Sequence, residues 1–560
     1  MFLFWGLLLT AVLPSPSPQP PLLLEGGTVY VSAEVPPRKA SVLVRDGRIA
    51  FVGDPRRAHV LAPEASVLDL TGTFLFPGWT DAHGHLLGLG RALETADLRG
   101  SAGAEEAAER LAATAARLPK ETWVEGRGWD QNRWPGAGFP DARDLDRLIP
   151  DRPVLARRVD GHAVWINGAA LAAAGIGVDT RDPAGGRILR RPDGSPSGVL
   201  VDNAAGLVDK AVPPEPADDI ERRLLKGLHA CARAGLTEVG DASSYGPERI
   251  AVLERLDRSG RLPIRVYATV SSDPGSLADF FRKGILLGGG ASFLTVRAIK
   301  AYADGALGSR GAALLADYSD EPGNRGLLVT PSERLQELAR ETRQKGWQLW
   351  IHAIGDRGNR VALDAYAAAA DSVPQAAVGG DRPRIEHAQV VASEDIPRFA
   401  KLGVIASLQP THATSDMPWA QARLGPARVQ GAYAWRRLKA AGARLAGGSD
   451  FPVESENPLL GFYAAVTRQD LEGRPSGGWR PEERLTRREA LALFTSDAAY
   501  AVFEEARRGR IAPGFEADVT VFAADPMAMP EREIPSIPVV LTLVGGRVAY
   551  QRGPSGETAR

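Results

Sequence analysis

The sequence predicts an α/β protein built on a (β/α)8 TIM barrel, and three observations carry that reading. Eight apolar, strand-like runs alternate with helical patterns through the middle of the chain, the signature of βα units and a parallel sheet. Both ends are instead rich in short strands and turns, which fits one small β-sandwich through which the chain enters and leaves. Roughly 150 residues separate the first and second barrel strands, far beyond an ordinary loop, so a subdomain is inserted there over the barrel mouth.

In chain order, residues 1–21 read as a signal-like leader and linker. MFLFWGLLLTAVL has the length of a signal-peptide core and is too short for an ordinary membrane span; PSPSPQPP follows it as a Pro-rich linker. An exported or periplasmic location is expected. No Lys or Arg precedes the apolar run, so a cytoplasmic location is the alternative. No other stretch is apolar enough for a bilayer span. From Leu22 come LLLEGGTVYV and KASVLVRDGRIAFVG, with Asp46-Gly47 as a hairpin signal. GRIAPGFEADVTVFAADP and VVLTLVGGRVAYQRG match them at the far end. Residues 22–72 and 508–552 are therefore assigned to the composite β-sandwich and 73–507 to the barrel, with 94–234 as the inserted subdomain.

The eight candidate barrel strands are TFLFPGWTDAHGH, LTEVGDASS, LPIRVYATV, FLTVRAIKAYADG, WQLWIHAIGD, RPRIEHAQV, GVIASLQPTH and ARLAGGSDFPV. In such a barrel the active site gathers at the C-terminal ends of the strands. Within FLTVRAIK, two-residue alternation puts Leu294, Val296, Ala298 and Lys300 on one face, expected to be the barrel interior.

The bulk numbers exclude several function classes. The chain has 560 residues, 44% hydrophobic and 24% charged, with a formal net charge of −1, an ordinary globular composition. It carries no basic footprint for nucleic acid. The expected partner is a small-molecule substrate, and a homodimer is compatible with the composition. Cys231 is the only cysteine, which rules out an internal disulfide. It lies on the apolar side of a helix in ERRLLKGLHACARAGLTEV and reads as a buried, inert thiol.

Chemistry-bearing residues collect at the strand ends. The first strand ends in His83 and His85, the fourth in Lys300, the fifth in His352, the sixth in His387 and the eighth in Asp450. Residues i and i+2 of a strand share a face, so both imidazoles of HGH reach one point, and Gly84 leaves that point uncrowded. Four of the eight histidines in the chain fall on the catalytic face, where chance would scatter them over helices and loops. His59 and His229 do sit in such places and read as structural. Neutral imidazoles with a carboxylate suit zinc or a similar divalent ion.

PGWTDAHGH, WIHAIGD, RIEHAQ, LQPTH and AGGSDFPV together resemble the metal-dependent amidohydrolase superfamily. DGHAVWING, KAYADGALGSRGAAL, HAIGDRGN, IEHAQ and GRIAPGFEADVTVF followed by TLVGGRVAY are similar to its amidohydrolase-3 branch. The resemblance covers the chain from about Leu22 to Tyr550. It implies a distorted barrel with a small β-sandwich and two divalent ions, Zn2+ first, with Mn2+ or Fe2+ as alternatives. His83 and His85 would bind the more buried ion together with Asp450, and His352 and His387 the second. Lys300 matches the position where some members carry a carboxylated lysine that bridges both. An ammonium is a donor-only cation and cannot ligate; a carbamate supplies two oxygens. The alternative for Lys300 is a barrel lysine paired to Asp304 or Asp450.

The activity implied is hydrolysis of a C–N bond in an amide, formamide or related acyl-amine. The nucleophile is hydroxide formed on the metals, and Asp450 is the proton shuttle. A one-metal deaminase on the same barrel usually carries Glu three residues after the fifth-strand histidine, where Gly355 stands here. A metal-dependent dipeptidase and a non-catalytic scaffold are further alternatives, the scaffold opposed by the presence of every candidate ligand. His162 in DGHAVWING and His412 in QPTH match branch positions and are candidates for substrate binding, as is Arg310 in DGALGSR, through a substrate carboxylate. Trp129, Trp134 and Trp419 lie in insertion or mouth loops, where they wall an apolar pocket or pack a core.

Overall fold

Eight parallel strands form one sheet in chain order: β1 (Trp79–Gly84), β2 (Leu236–Tyr245), β3 (Arg265–Ser271), β4 (Leu294–Tyr302), β5 (Gln348–Ala353), β6 (Arg384–His387), β7 (Ile405–Leu408) and β8 (Arg444–Gly447). The structure, a computed structural model, describes residues 20–372 and 380–553. Residues 1–19 of the leader expected over 1–21 lie outside the described residues. Among the described residues no helix is long and apolar enough to cross a membrane.

Parallel strands bury both faces and so read as near-continuous apolar runs; every residue of β5, QLWIHA, is buried. The eighth strand returns to the first through the backbone just beyond it. The Asp450 N–H donates to the His83 carbonyl at 2.7 Å, and the His85 N–H donates to the Phe451 carbonyl at 2.8 Å. The segments that close the barrel therefore carry three of the candidate ligands. Helices cover the outside, and their ends are written in the sequence. After β3, Asp273 caps Pro274–Lys283 by accepting from the Gly275 N–H at 3.1 Å, Pro274 opens the first turn, and Gly284 ends the helix at φ 83°.

The interior fills in layers. Gln348, Trp350 and His352 alternate along β5, stepping from the floor towards the mouth. At the floor the Gln348 Oε1 accepts from the Tyr267 hydroxyl and the Trp350 indole N–H, both at 2.8 Å. The Arg384 guanidinium lies 3.5 Å over the Trp350 ring and donates to Glu386, Ser407 and the Ala82 carbonyl. A buried ion pair thus separates the aromatic floor from the histidines above it.

The structure corrects two strand expectations. TFLFPGWTDAHGH is two strands. Phe74–Pro77 pairs with Thr28–Val29 and Val519–Phe522 in a sheet built from the chain ends, and the barrel strand begins only at Trp79. Pro77 has no N–H to continue a central ladder, and a Cβ at Gly78 would lie 2.3 Å from Thr237 Oγ1. The second correction concerns FLTVRAIK. Between β3 and β4 the register passes from Ala268↔Val296 to Thr269↔Ala298, leaving Arg297 as an extra residue. A bulge of this kind reverses the alternation. Leu294 and Val296 therefore join the core with the helix residues Phe280 and Leu338, while Ala298 packs with Tyr267 and Trp350 inside. Lys300 keeps its inward position.

The chain ends supply a four-stranded sheet that includes Leu22–Glu25 and Ser41–Arg45, and a six-stranded sheet that joins Phe74–Pro77 to Val519–Phe522 and Val539–Val544. Leu24, Val42, Leu75, Val519 and Leu541 share one core between them. Between β1 and β2 a separate six-stranded sheet runs from Ala96–Asp97 through Val124–Trp129, Val154–Arg158 and Ala163–Ile166 to Pro196–Asp202 and Gly186–Arg190. Trp129 and Trp165 are fully buried in its own core.

Candidate metal centre

Side chains from five barrel strands converge above the Arg384–Glu386 pair. His83, His387 and Asp450 each offer a ligand atom, all within 4.8 Å of one another. The His85 Nε2 lies 3.0 Å from Asp450 Oδ1, and the His83 Nε2 lies 3.6 Å from the same oxygen. The His387 ring stands between its neighbours, 5.0 Å from His83 and 4.5 Å from His352. Lys300 is buried and lines the same cavity as all five. The structure therefore brings together all six residues that the sequence nominates as ligands. His387 sits between the two expected groups rather than clearly in one.

The surroundings fix which nitrogen each imidazole presents. His83 Nδ1 engages the buried Glu386 carboxylate, and His387 Nδ1 donates to the Gln409 Oε1 at 2.7 Å. Each ring thereby keeps Nε2 free of its proton, the form that ligates. Burial holds His83, His352 and His387 well below the usual imidazole range, with Lys300 adding to the shift at His83 and the neighbouring imidazoles adding at the other two. Burial pushes the Asp450 carboxyl up, but His85, His83 and His412 outweigh it and hold the group well below the usual carboxylate range. Burial lowers the Lys300 ammonium to about 8, against the opposing pull of Glu386 and Asp450. Neutral imidazoles beside an ionised carboxylate are the donor set that zinc and similar ions take.

Two of these residues stand on strained backbone. His387 has φ 75° and Asp450 φ 61°, the left-handed region that non-glycine residues seldom enter. At His387 the twist ends the alternation of β6, so that adjacent Glu386 and His387 both serve the site. Strain of this kind concentrates at functional positions.

The substrate candidates separate. His162, from the insertion, holds Asp202 through Nδ1 at 2.7 Å, and its ring lies 4.9 Å from His352. Burial opposes its protonation, but Asp202 and Asp160 raise it above the usual imidazole range. His412 Nε2 is 3.7 Å from Asp450 Oδ2 and is buried without a hydrogen-bond partner. Arg310 is not brought to the site. Asp320 at 3.1 Å and Glu321 at 3.1 Å pair with it, and it lines neither cavity described here. Trp134 and Trp419 wall a cavity of about 250 Å³ that also reaches His387 and Asp450, whereas Trp129 is core. Cys231 is buried, and burial pushes its thiol well up, as expected of an inert side chain.

Glu386, Gln409 and Asp81 were not singled out in the sequence. Asp81 accepts from the His83 N–H at 3.0 Å and from the Ser449 hydroxyl at 2.6 Å, tying β1 to the segment that carries Asp450. Its signal was present: in TDAHGH it alternates with both histidines. Glu386→Gln is expected to weaken metal binding by about 10- to 100-fold, as loss of a ligand's outer partner does. It also strips Arg384 of its carboxylate, at a cost of about 3–5 kcal/mol. Metal titration and thermal denaturation measure both; unchanged affinity would remove Glu386 as the residue that orients His83.

The chain is similar to known proteins along most of its length. The amidohydrolase family Amidohydro_3 matches residues 66–550. YtcJ of Bacillus subtilis (strain 168), which carries an amidohydrolase name, is 35% identical over 533 residues, covering 94% of this chain and 99% of its own. N-substituted formamide deformylase of Arthrobacter pascens is 28% identical over 534 residues, covering 91% and 95% respectively. The crystal structure of an uncharacterized metal-dependent hydrolase from Pyrococcus horikoshii OT3 superposes with a TM-score of 0.74 at 27% identity, covering 91% of this chain and 99% of that one. With its motifs in order along an eight-stranded parallel barrel, the chain belongs to the amidohydrolase family.

Proposed function

We propose that this protein is a metal-dependent hydrolase of a C–N bond in an amide, formamide or related acyl-amine. The barrel is framed by a composite terminal β-sandwich and a mouth insertion. The convergence of His83, His387 and Asp450 within 4.8 Å carries the reading, because their neutral imidazoles and ionised carboxylate fit divalent ions such as zinc. His83, His85 and Asp450 would hold one ion, His352 and His387 a second, and Lys300, as a carbamate, would serve both. When bound, such ions lower the pKa of water into the neutral range and polarise a carbonyl.

The chain's own residues do the remainder. Asp450 is ionised, so it takes a proton from the attacking water and passes it to the leaving nitrogen, a general acid–base role. His412 presents a buried, unpartnered Nε2, placed to bind a substrate oxygen. His162, held by Asp202, supplies a donor from the insertion. The names of the formamide deformylase and of the metal-dependent hydrolase from Pyrococcus horikoshii support the reaction class.

The test is removal and return of metal. Purified protein should hold up to two divalent ions per chain by plasma mass spectrometry. Chelation should abolish hydrolysis across a panel of N-formyl amines, N-acyl amino acids, cyclic imides and dipeptides, and Zn2+, Mn2+ or Fe2+ should restore it. Turnover of dipeptides alone would move the reading to a dipeptidase, and full activity in metal-free protein would overturn it.

A further inference from the structure

Above the metal centre a cavity of about 560 Å³ opens between the barrel mouth and the insertion. Five carboxylates line it, and each already has a partner. Glu125 faces Arg91 at 3.8 Å, Asp209 takes Arg157 at 2.6 Å, and Asp160 takes Arg158. Asp202 holds His162 at 2.7 Å and Asp450 faces His85 at 3.0 Å. The cations are not matched in the same way. Arg127 donates from Nη2 to the Val159 carbonyl at 2.9 Å, and its Nε is buried with no partner. Among the described residues no carboxylate lies within ion-pairing distance of it. Arg249, in the helix that follows β2, lines the same cavity, and its side chain has no ion pair or hydrogen bond among the described residues.

We propose that this cavity binds a carboxylate of the substrate, with Arg127 as its anchor and Arg249 as a second cation. The substrate class is thereby narrowed to amides that carry an acid group, such as N-acyl amino acids. The proposal rests on the C–N hydrolase reading above. A half-buried guanidinium with an unpartnered Nε and no carboxylate within ion-pairing distance is free to take a ligand's acid group. Its planar fork also matches a carboxylate better than an ammonium does.

The position is built rather than incidental. Arg127 precedes a bulge in Val124–Trp129, where Gly128 has φ 111°. Gly161 faces the guanidinium, and its φ of 77° is a backbone conformation that favours glycine. Burial, with Arg157 beside it, lowers the group to about 10, so it remains a cation at neutral pH. The role that the sequence offered to Arg310 falls to a residue with no carboxylate within ion-pairing distance among the described residues.

The experiment compares N-acetyl and N-formyl amino acids with their uncharged carboxamides, on metal-loaded wild type, Arg127→Met and Arg249→Gln. Wild type should favour the acids in kcat/KM by roughly 10- to 150-fold, the range of one hydrogen bond to a charged group. Arg127→Met should reduce that preference to about threefold or less, with the carboxamides little changed. Arg249→Gln, at a half-buried position at the helix start, should reduce it by a smaller factor and guards against a misfolded Arg127 variant. Equal turnover of acid and carboxamide by wild type, or an undiminished preference in both variants, overturns the proposal and leaves C–N hydrolysis standing. If nothing is turned over, calorimetry decides. Tighter binding of the acids that Arg127→Met abolishes supports the anion site while the hydrolase reading fails, and equal or absent binding overturns the site as well.

Discussion

Asp450→Asn is expected to lower kcat by about 10²–10⁴, the usual worth of a positioned acid–base group, in a protein that folds. The substitution isolates the proton from the shape. Asn matches Asp in size and tolerates the left-handed backbone that Asp450 occupies at φ 61°. It keeps one oxygen that can face His85 and His83, but an amide does not accept a proton at neutral pH. The native carboxylate is well placed to do so. His85 Nε2 stands 3.0 Å from one oxygen and His412 Nε2 3.7 Å from the other, so it stays ionised until the reaction delivers a proton. Because Asn is also a weaker ligand, metal content must be measured beside kcat, with the variant assayed at saturating metal. A metal-loaded Asp450→Asn enzyme with near-normal kcat would remove Asp450 as the shuttle.

The sequence was most legible where side-chain alternation and strand ends coincide. The barrel runs follow from apolar stretches set between helical patterns, and the HGH pair at His83 and His85 from a two-residue period and the rule that such barrels work at their C-terminal rim. Alternation failed where the backbone departs from it. The extra residue at Arg297 moved Leu294 and Val296 to the helix side, and φ 75° at His387 let adjacent Glu386 and His387 serve one site. The Pro77-Gly78 dipeptide did carry a signal for the break in TFLFPGWTDAHGH. So did Arg384 and Glu386, opposite charges at i and i+2 that share one face of β6 and pair inside the barrel.

Charge balance was the least legible feature, because it depends on which chains meet. Arg310 reads as free in DGALGSR, yet Asp320 and Glu321, about ten residues on, fold back to neutralise it. Arg127 in VEGRGW has nothing in its spacing to mark it. Only the packing of the insertion over the barrel mouth leaves it facing the cavity with no carboxylate within ion-pairing distance among the described residues.

Lys300→Ala is expected to lose bound metal, down to one ion per chain or fewer, together with most activity; added formate or acetate at high concentration should partly restore both. Lys300 lies on the inward face of β4 with Ala298 and Tyr302, buried among the candidate ligands. As an ammonium it would repel nearby dications by several kcal/mol even at an effective dielectric of about 20, and it has no lone pair to offer. Burial lowers it to about 8, which leaves some neutral amine at neutral pH. On the proposed assignment that amine would add carbon dioxide, releasing one proton and forming an N–C bond, to become a carbamate anion with two oxygens. A small carboxylate carries the same charge and the same two oxygens, and the space vacated by the lysine side chain is where it would sit. Lys300→Met fills that space with an apolar chain, so it should lose metal as Lys300→Ala does but resist rescue. Metal per chain and rescued rate, measured together against formate concentration, test the assignment. A Lys300→Ala protein that holds two ions and works without added carboxylate would make Lys300 a structural lysine of the barrel wall.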